Sequence, residues 1–122
     1  MQDKHCEICG VWGTELHHII YKSHARYMSN IPINFKYLCT EHHRGKHGPH
    51  MDREIDLQYK KELQHKLEKL FYKDYYNIHQ VRQLLEISKS EAEKIVNKLP
   101  VHKEGYDRLD IIKKCLGGKF YD

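Results

Sequence analysis

An α+β fold is expected for this 122-residue chain, with short strands near the N-terminus and helices after them. Three observations lead there. Two short runs, residues 14–21 (Thr-Glu-Leu-His-His-Ile-Ile-Tyr) and 35–39 (Phe-Lys-Tyr-Leu-Cys), carry the β-branched, aromatic and alternating character of strands. Residues 52–74 step apolar side chains at helical spacing, through Ile55, Tyr59, Leu63, Leu67, Leu70 and Phe71. Residues 75–122 hold two capping-box signatures, Asn77-x-x-Gln80 and Ser88-x-x-Glu91, each opening a short amphipathic segment.

The elements follow in order. Cys6-x-x-Cys9-Gly10 has the form of a knuckle, two thiols on a tight turn with Gly supplying the left-handed backbone. The strand at 14–21 comes next, then a loop over Lys22 to Ile33, then the strand at 35–39. From Thr40, as its cap, a short helix begins, and Gly45, Gly48 and Pro49 keep it short. Asp52 caps the long helix. Beyond it, Ile78, Val81, Leu84 and Leu85 form the apolar face of one helix, and Ala92, Ile95, Val96 and Leu99 that of a second running from Ser90 to Leu99, which Pro100 ends. Val101 to Arg108, turning at Gly105, suits a small hairpin, and Asp107 starts a last helix through Leu116 before Gly117-Gly118. The expected organisation is two units, 1–74 and 75–122.

Composition narrows the function. Hydrophobic residues make up 39% and charged residues 31%, a thin apolar supply that favours a staple such as a metal. There are 4 Cys and 11 His, and eight of the histidines fall by His50. The net charge of +4 is compatible with nucleic acid but too mild to argue for it alone. No apolar run approaches membrane-spanning length and the N-terminus lacks the order of a signal peptide, so no membrane partner and a cytoplasmic location are expected. In a reducing compartment Cys-x-x-Cys reads as metal or redox chemistry before disulfide, and the distant Cys115 reads as a free, inert thiol.

Cys6, Cys9, Cys39 and His42 form two pairs of C-x-x-(C/H) spacing, each offering two ligands from one turn, a donor set suited to structural zinc. Binding would close a loop with little core of its own. A second group lies among the remaining histidines. His17 and His18 are neighbours on a strand, so they point to opposite faces and cannot both hold one ion. His43-x-x-x-His47 can chelate from one helical face. With His17 this makes three neutral ligands and leaves positions open, as catalysis requires; His50 competes with His47 for the last place.

Taken together, Cys-x-x-Cys, Leu16-His17-His18-Ile19, Asn34, and Cys39-x-x-His42-His43-x-x-x-His47 resemble the HNH nuclease family over roughly residues 5–50. That resemblance implies a ββα-metal hairpin braced by a zinc knuckle and a DNA endonuclease leaving 3′-hydroxyl and 5′-phosphate ends, in a family often phage-borne or mobile. By position, it implies that His17 and His43 bind a catalytic divalent ion (Mg²⁺, Mn²⁺ or another), with His47 as a further ligand. His18 would be the general base, and Asn34 would hold the loop and orient His18. His42 stands where a fourth cysteine is common, and His17 where aspartate is common. A histidine suits the base role because its ordinary pKa of about 6.5 lies near neutrality, and such a base is worth about 10²–10⁴-fold.

Residues 77–116 resemble a winged helix-turn-helix of the excisionase or mercury-resistance-regulator type. The resemblance implies that the second helix enters the major groove with Ser90, Lys94 and Lys98 on its outer side, while Lys103 and Arg108 on the wing meet phosphates. DNA is therefore the expected partner; a homodimer is compatible with this reading. A non-catalytic, zinc-braced DNA-binding regulator is the competing class, although it needs four ligands and this chain offers seven or eight.

Overall fold

The computed structural model describes residues 2–122. Its architecture is α+β: among the described residues, two antiparallel three-stranded sheets and five α-helices. The first sheet has the order β1 (Gln2–His5), β2 (Trp12–His18), β3 (Phe35–Leu38). In the pairing of β2 with β3, His17 stands opposite Lys36 and His18 opposite Phe35. The strand expected over 14–21 begins and ends earlier, because Ile19 and Ile20 leave the ladder to enter the core. β1 was not expected; its four residues are all exposed and carry no apolar alternation.

Two 3₁₀ turns, Arg26–Met28 and Pro32–Asn34, give the 19–34 connection a fixed course. Ile20, Ala25, Met28 and Ile31 on this connection are buried. α1 (Thr40–Arg44) follows β3 directly. Its N-cap is Cys39 rather than Thr40, with the Cys39 sulfur accepting the His42 N–H. The long helix α2 (Arg53–Leu70) is capped by Asp52 as expected and buries Tyr59, Lys60, Leu63 and Leu67.

The second sheet has the order β4 (Tyr75–Tyr76), β6 (Gly105–Asp107), β5 (Val101–His102). Around it lie α3 (Ile78–Leu85), α4 (Lys89–Val96) and α5 (Arg108–Cys115). Both capping boxes form, at Asn77/Gln80 and at Ser88/Glu91. α4 stops at Val96, short of the expected Leu99, and Lys98 turns the chain with φ 67°.

The halves on either side of residue 74 touch through specific bonds. The Tyr27 hydroxyl donates to the Lys114 carbonyl at 2.6 Å. The Arg108 guanidinium donates to the carbonyls of Phe71 and Glu68 at 2.6 and 3.0 Å. These close the C-terminal end of α2, where helical carbonyls lack partners. Phe71, Ile111, Ile112 and Leu116 are fully buried in a cluster that also holds Ile20 and Met28.

Candidate metal centres and catalytic pocket

The knuckle at 6–10 is shaped by backbone bonds. Gly10 N–H donates to the Cys6 carbonyl and Cys6 N–H to the Val11 carbonyl, with Gly10 at φ 78°. The Glu7 carboxylate accepts the Tyr37 N–H at 2.6 Å and ties the knuckle to β3. Cys9 and Cys39 sulfurs are thereby 3.8 Å apart, Cys6 sulfur and His42 Nδ1 3.8 Å, and Cys39 sulfur and His42 Nδ1 3.3 Å. A tetrahedron with metal–ligand arms of about 2.0–2.3 Å has edges of about 3.3–3.8 Å, so these four residues can hold a metal ion. The three cysteines are free thiols, and the 3.8 Å between the Cys9 and Cys39 sulfurs is far beyond a disulfide. Burial pushes the Cys6 thiol up, but backbone N–H groups of Cys39, Cys9 and Ile8 outweigh it and bring the thiol down to about 6. Cys39 is raised, first by burial.

The second cluster brings one ring nitrogen from each of His17, His43 and His50 within 4.8 Å of one another. His17 is supplied by β2 and is 1% exposed; its buried Nε2 has no hydrogen-bond partner among the described residues. Desolvation, then the charges of His43 and His50, hold its pKa down to about 3, so the ring stays neutral and able to donate a lone pair. His43 comes from α1, and its Nδ1–H donates to Glu15 at 2.8 Å, which leaves Nε2 unprotonated. Glu15 also receives both Arg44 donors, and these bonds, the Arg44 one foremost, hold its carboxyl down to about 2. His50 Nε2 lies 3.0 Å from His43 Nε2. With the unpartnered, buried His17 Nε2 beside them, these rings form a second group that could hold a metal ion.

His47 is exposed and outside this cluster; His50 fills the third place. The reason lies in the backbone. α1 ends at Arg44 with extended Gly45 after it, so positions 43 and 47 do not share a helical face. The turn through Gly48, where a Cβ would collide with the His43 carbonyl, returns the chain to the cluster at His50.

Comparison with family models, with curated proteins and with solved structures returns no match. The geometry of the pocket therefore carries the argument. A cavity of about 450 Å³ is lined by Leu16, His17, His18, Tyr21, Lys22, Ser23, His43 and His50. His18 Nε2 lies 2.8 Å from the Ser29 carbonyl, which can only accept, so Nε2 carries the proton and Nδ1 is left with its lone pair. Asn34 is fully buried and is not among the residues lining this cavity; its Oδ1 accepts Ile20 N–H at 2.7 Å and its Nδ2 donates to the carbonyls of Ile20 and Met28 at 3.1 and 3.2 Å. It fixes the connection that carries Ser29.

Glu15 was missed by sequence reasoning. It sits two residues before His17, on the same face of a strand by the period of two, which was a usable signal. Of the residues expected to meet DNA, Ser90 and Lys94 are exposed and line a groove with Tyr27, Glu93, Asn97 and Lys114. Lys98 and Lys103 are exposed, whereas Arg108 is half-buried and committed to the α2 carbonyls. Cys115 is buried and free. No helix among the described residues is long and apolar enough to cross a membrane.

Proposed function

We propose that this chain is a metal-dependent DNA endonuclease of the HNH type, with zinc at Cys6, Cys9, Cys39 and His42 as a structural brace and a second, open divalent site at His17, His43 and His50. The observation that carries the reading is the pairing of three converging imidazoles with an adjacent histidine, His18, whose Nε2 is tied to Ser29 in the same pocket. A divalent ion held by the three rings would neutralise charge on the phosphate and its leaving oxygen. Three imidazoles without a carboxylate suit a borderline transition ion better than Mg²⁺.

His18 Nδ1 takes a proton from a water molecule, whose oxygen attacks phosphorus as the P–O3′ bond breaks. The products are a 5′-phosphate and a 3′-hydroxyl, the latter protonated from solvent. Ser29 holds the imidazole in the tautomer that can accept this proton, and Asn34 holds the segment bearing Ser29. Glu15 keeps the His43 ring oriented. The helical unit would supply sequence register through α4 and the hairpin β5–β6, with Ser90, Lys94, Lys98 and Lys103 available for it.

The test is nicking of supercoiled plasmid with Mn²⁺, Co²⁺, Ni²⁺, Zn²⁺ and Mg²⁺ in turn. Cleavage that drops by about 10²–10⁴-fold in His18→Ala is expected. Cleavage undiminished in that variant removes the assigned base. DNA binding without cleavage under any ion would instead leave the zinc-braced regulator.

A further inference from the structure

The three rings of the second cluster are held by different means. His17 is fixed by its strand and by burial, and His43 by its helix and the Glu15 carboxylate. His50 has neither support. It sits in a turn, is exposed, and its Nδ1 has no bond to the protein among the described residues.

One side chain lies flat against it. The Tyr21 ring is stacked on His50 with centroids 5.7 Å apart and planes 20° apart. Tyr21 is itself fixed from behind. Its hydroxyl donates to Asp56 Oδ1 at 2.6 Å, and Asp56 Oδ2 accepts from Lys60 at 2.8 Å. The Lys60 ammonium, 6% exposed as a residue, also lies 4.5 Å from the Tyr21 ring centroid. Asp56 and Lys60 are one turn apart on α2, so the brace is mounted on the longest helix in the chain.

We propose that Tyr21, braced by Asp56 and Lys60, is a positioning residue that sets the His50 ring for cation binding. The proposal rests on the reading of His17, His43 and His50 as a divalent-ion site. Its physical basis is twofold. A ring stacked against a fixed neighbour loses little rotamer freedom when it binds, which lowers the ordering cost. A metal-bound imidazole is also electron-poor, and its contact with a phenol face improves on binding. The stack therefore favours the bound state over the free one, as a positioning contact must.

The experiment is a Co²⁺ titration of the full chain with zinc kept saturating at the cysteine cluster, read by the visible d–d bands. Wild type, Tyr21→Leu, Tyr21→Phe, Asp56→Asn, His50→Ala and the Tyr21→Leu/His50→Ala double variant are compared. Tyr21→Leu should weaken Co²⁺ by about 10–100-fold and change the band shape, the range typical of outer contacts to metal ligands. Tyr21→Phe and Asp56→Asn should weaken it several-fold, with far-UV circular dichroism unchanged. The double variant should bind no worse than His50→Ala alone, because Tyr21 acts through that ring. Unchanged affinity and spectrum in Tyr21→Leu, with His50→Ala weakened, overturns the positioning role and leaves the three-histidine site standing. If Tyr21→Leu does not fold, unchanged binding in both Tyr21→Phe and Asp56→Asn overturns it equally. Full-strength binding in His50→Ala, or no Co²⁺ binding outside the cysteine cluster in wild type, overturns the underlying site itself.

Discussion

Removing the Asn34 amide tests the link between loop and base most directly. Asn34→Ala deletes three hydrogen bonds from a fully buried position: the Ile20 N–H at 2.7 Å and the carbonyls of Ile20 and Met28 at 3.1 and 3.2 Å. Each such bond contributes about 1 kcal/mol net, and a buried N–H left without an acceptor adds a penalty of about 1–3 kcal/mol. The expected loss is about 3–5 kcal/mol, which for a chain of this length lowers Tm by roughly 10–20 °C. Urea unfolding of the zinc-loaded protein measures the first part. The second part is functional. The Ser29 carbonyl that holds His18 lies on the connection Asn34 pins, so nicking measured well below Tm should fall by about 10²-fold, approaching the effect of removing the base. Asn34→Asp should be no better, since a carboxylate would face two carbonyl oxygens. Stability within about 0.5 kcal/mol of wild type would refute the hydrogen-bond argument. A large stability loss with nicking intact below Tm would refute the coupling to His18.

Other outcomes follow from the same geometry. His50→Ala should weaken the open divalent site at least tenfold by Co²⁺ titration, whereas His47→Ala, exposed and outside the cluster, should leave it unchanged. Arg108→Ala should cost about 1–3 kcal/mol in urea unfolding because it uncovers the α2 carbonyls, while Lys94→Ala should leave stability alone and weaken DNA binding with a salt slope lower by about one. Cys115, 0% exposed with its thiol pushed up to about 12 by burial, should resist iodoacetamide in the native state at pH 8 and react on unfolding, as followed by mass spectrometry. The sign of its pH effect follows. Above about pH 8.5 the unfolded thiol loses its proton and the folded one keeps it, so this group lowers stability as pH rises toward 12, and Cys115→Ala should flatten that alkaline slope.

The parts of the fold legible in the sequence are those specified by local chemistry. Asn77, Ser88, Asp52 and Asp107 each cap the helix they were expected to start, because a cap is decided by neighbours within three residues. The group of Cys6, Cys9, Cys39 and His42 was legible because each half is a turn that presets two ligands. What escaped was set at a distance. β1 exists through pairing with β2 alone, and no pattern in Gln2–His5 announces it. The choice of His50 over His47 depends on where α1 stops and how the Gly48 turn folds back, neither of which helical spacing encodes. Arg108 read as a phosphate contact because charge alone was visible; its carbonyl partners lie 37 and 40 residues away in the chain.

Placing His42 and His43 next to each other on α1 ties the two centres mechanically. Successive residues on a helix point about 100° apart, so one five-residue helix aims one imidazole at the cysteine cluster and the next at His17 and His50. So short a helix has no stability of its own. It is held at its start by the Cys39 cap and His42, and at its side by Glu15, which binds both His43 and Arg44. The cysteine cluster thus fixes the pitch and rotation of the element that presents His43, and β2 carries both Glu15 and His17 to meet it. The cysteine–histidine cluster and the three converging rings therefore share one short helix, and any change that shifts α1 moves His42 and His43 together.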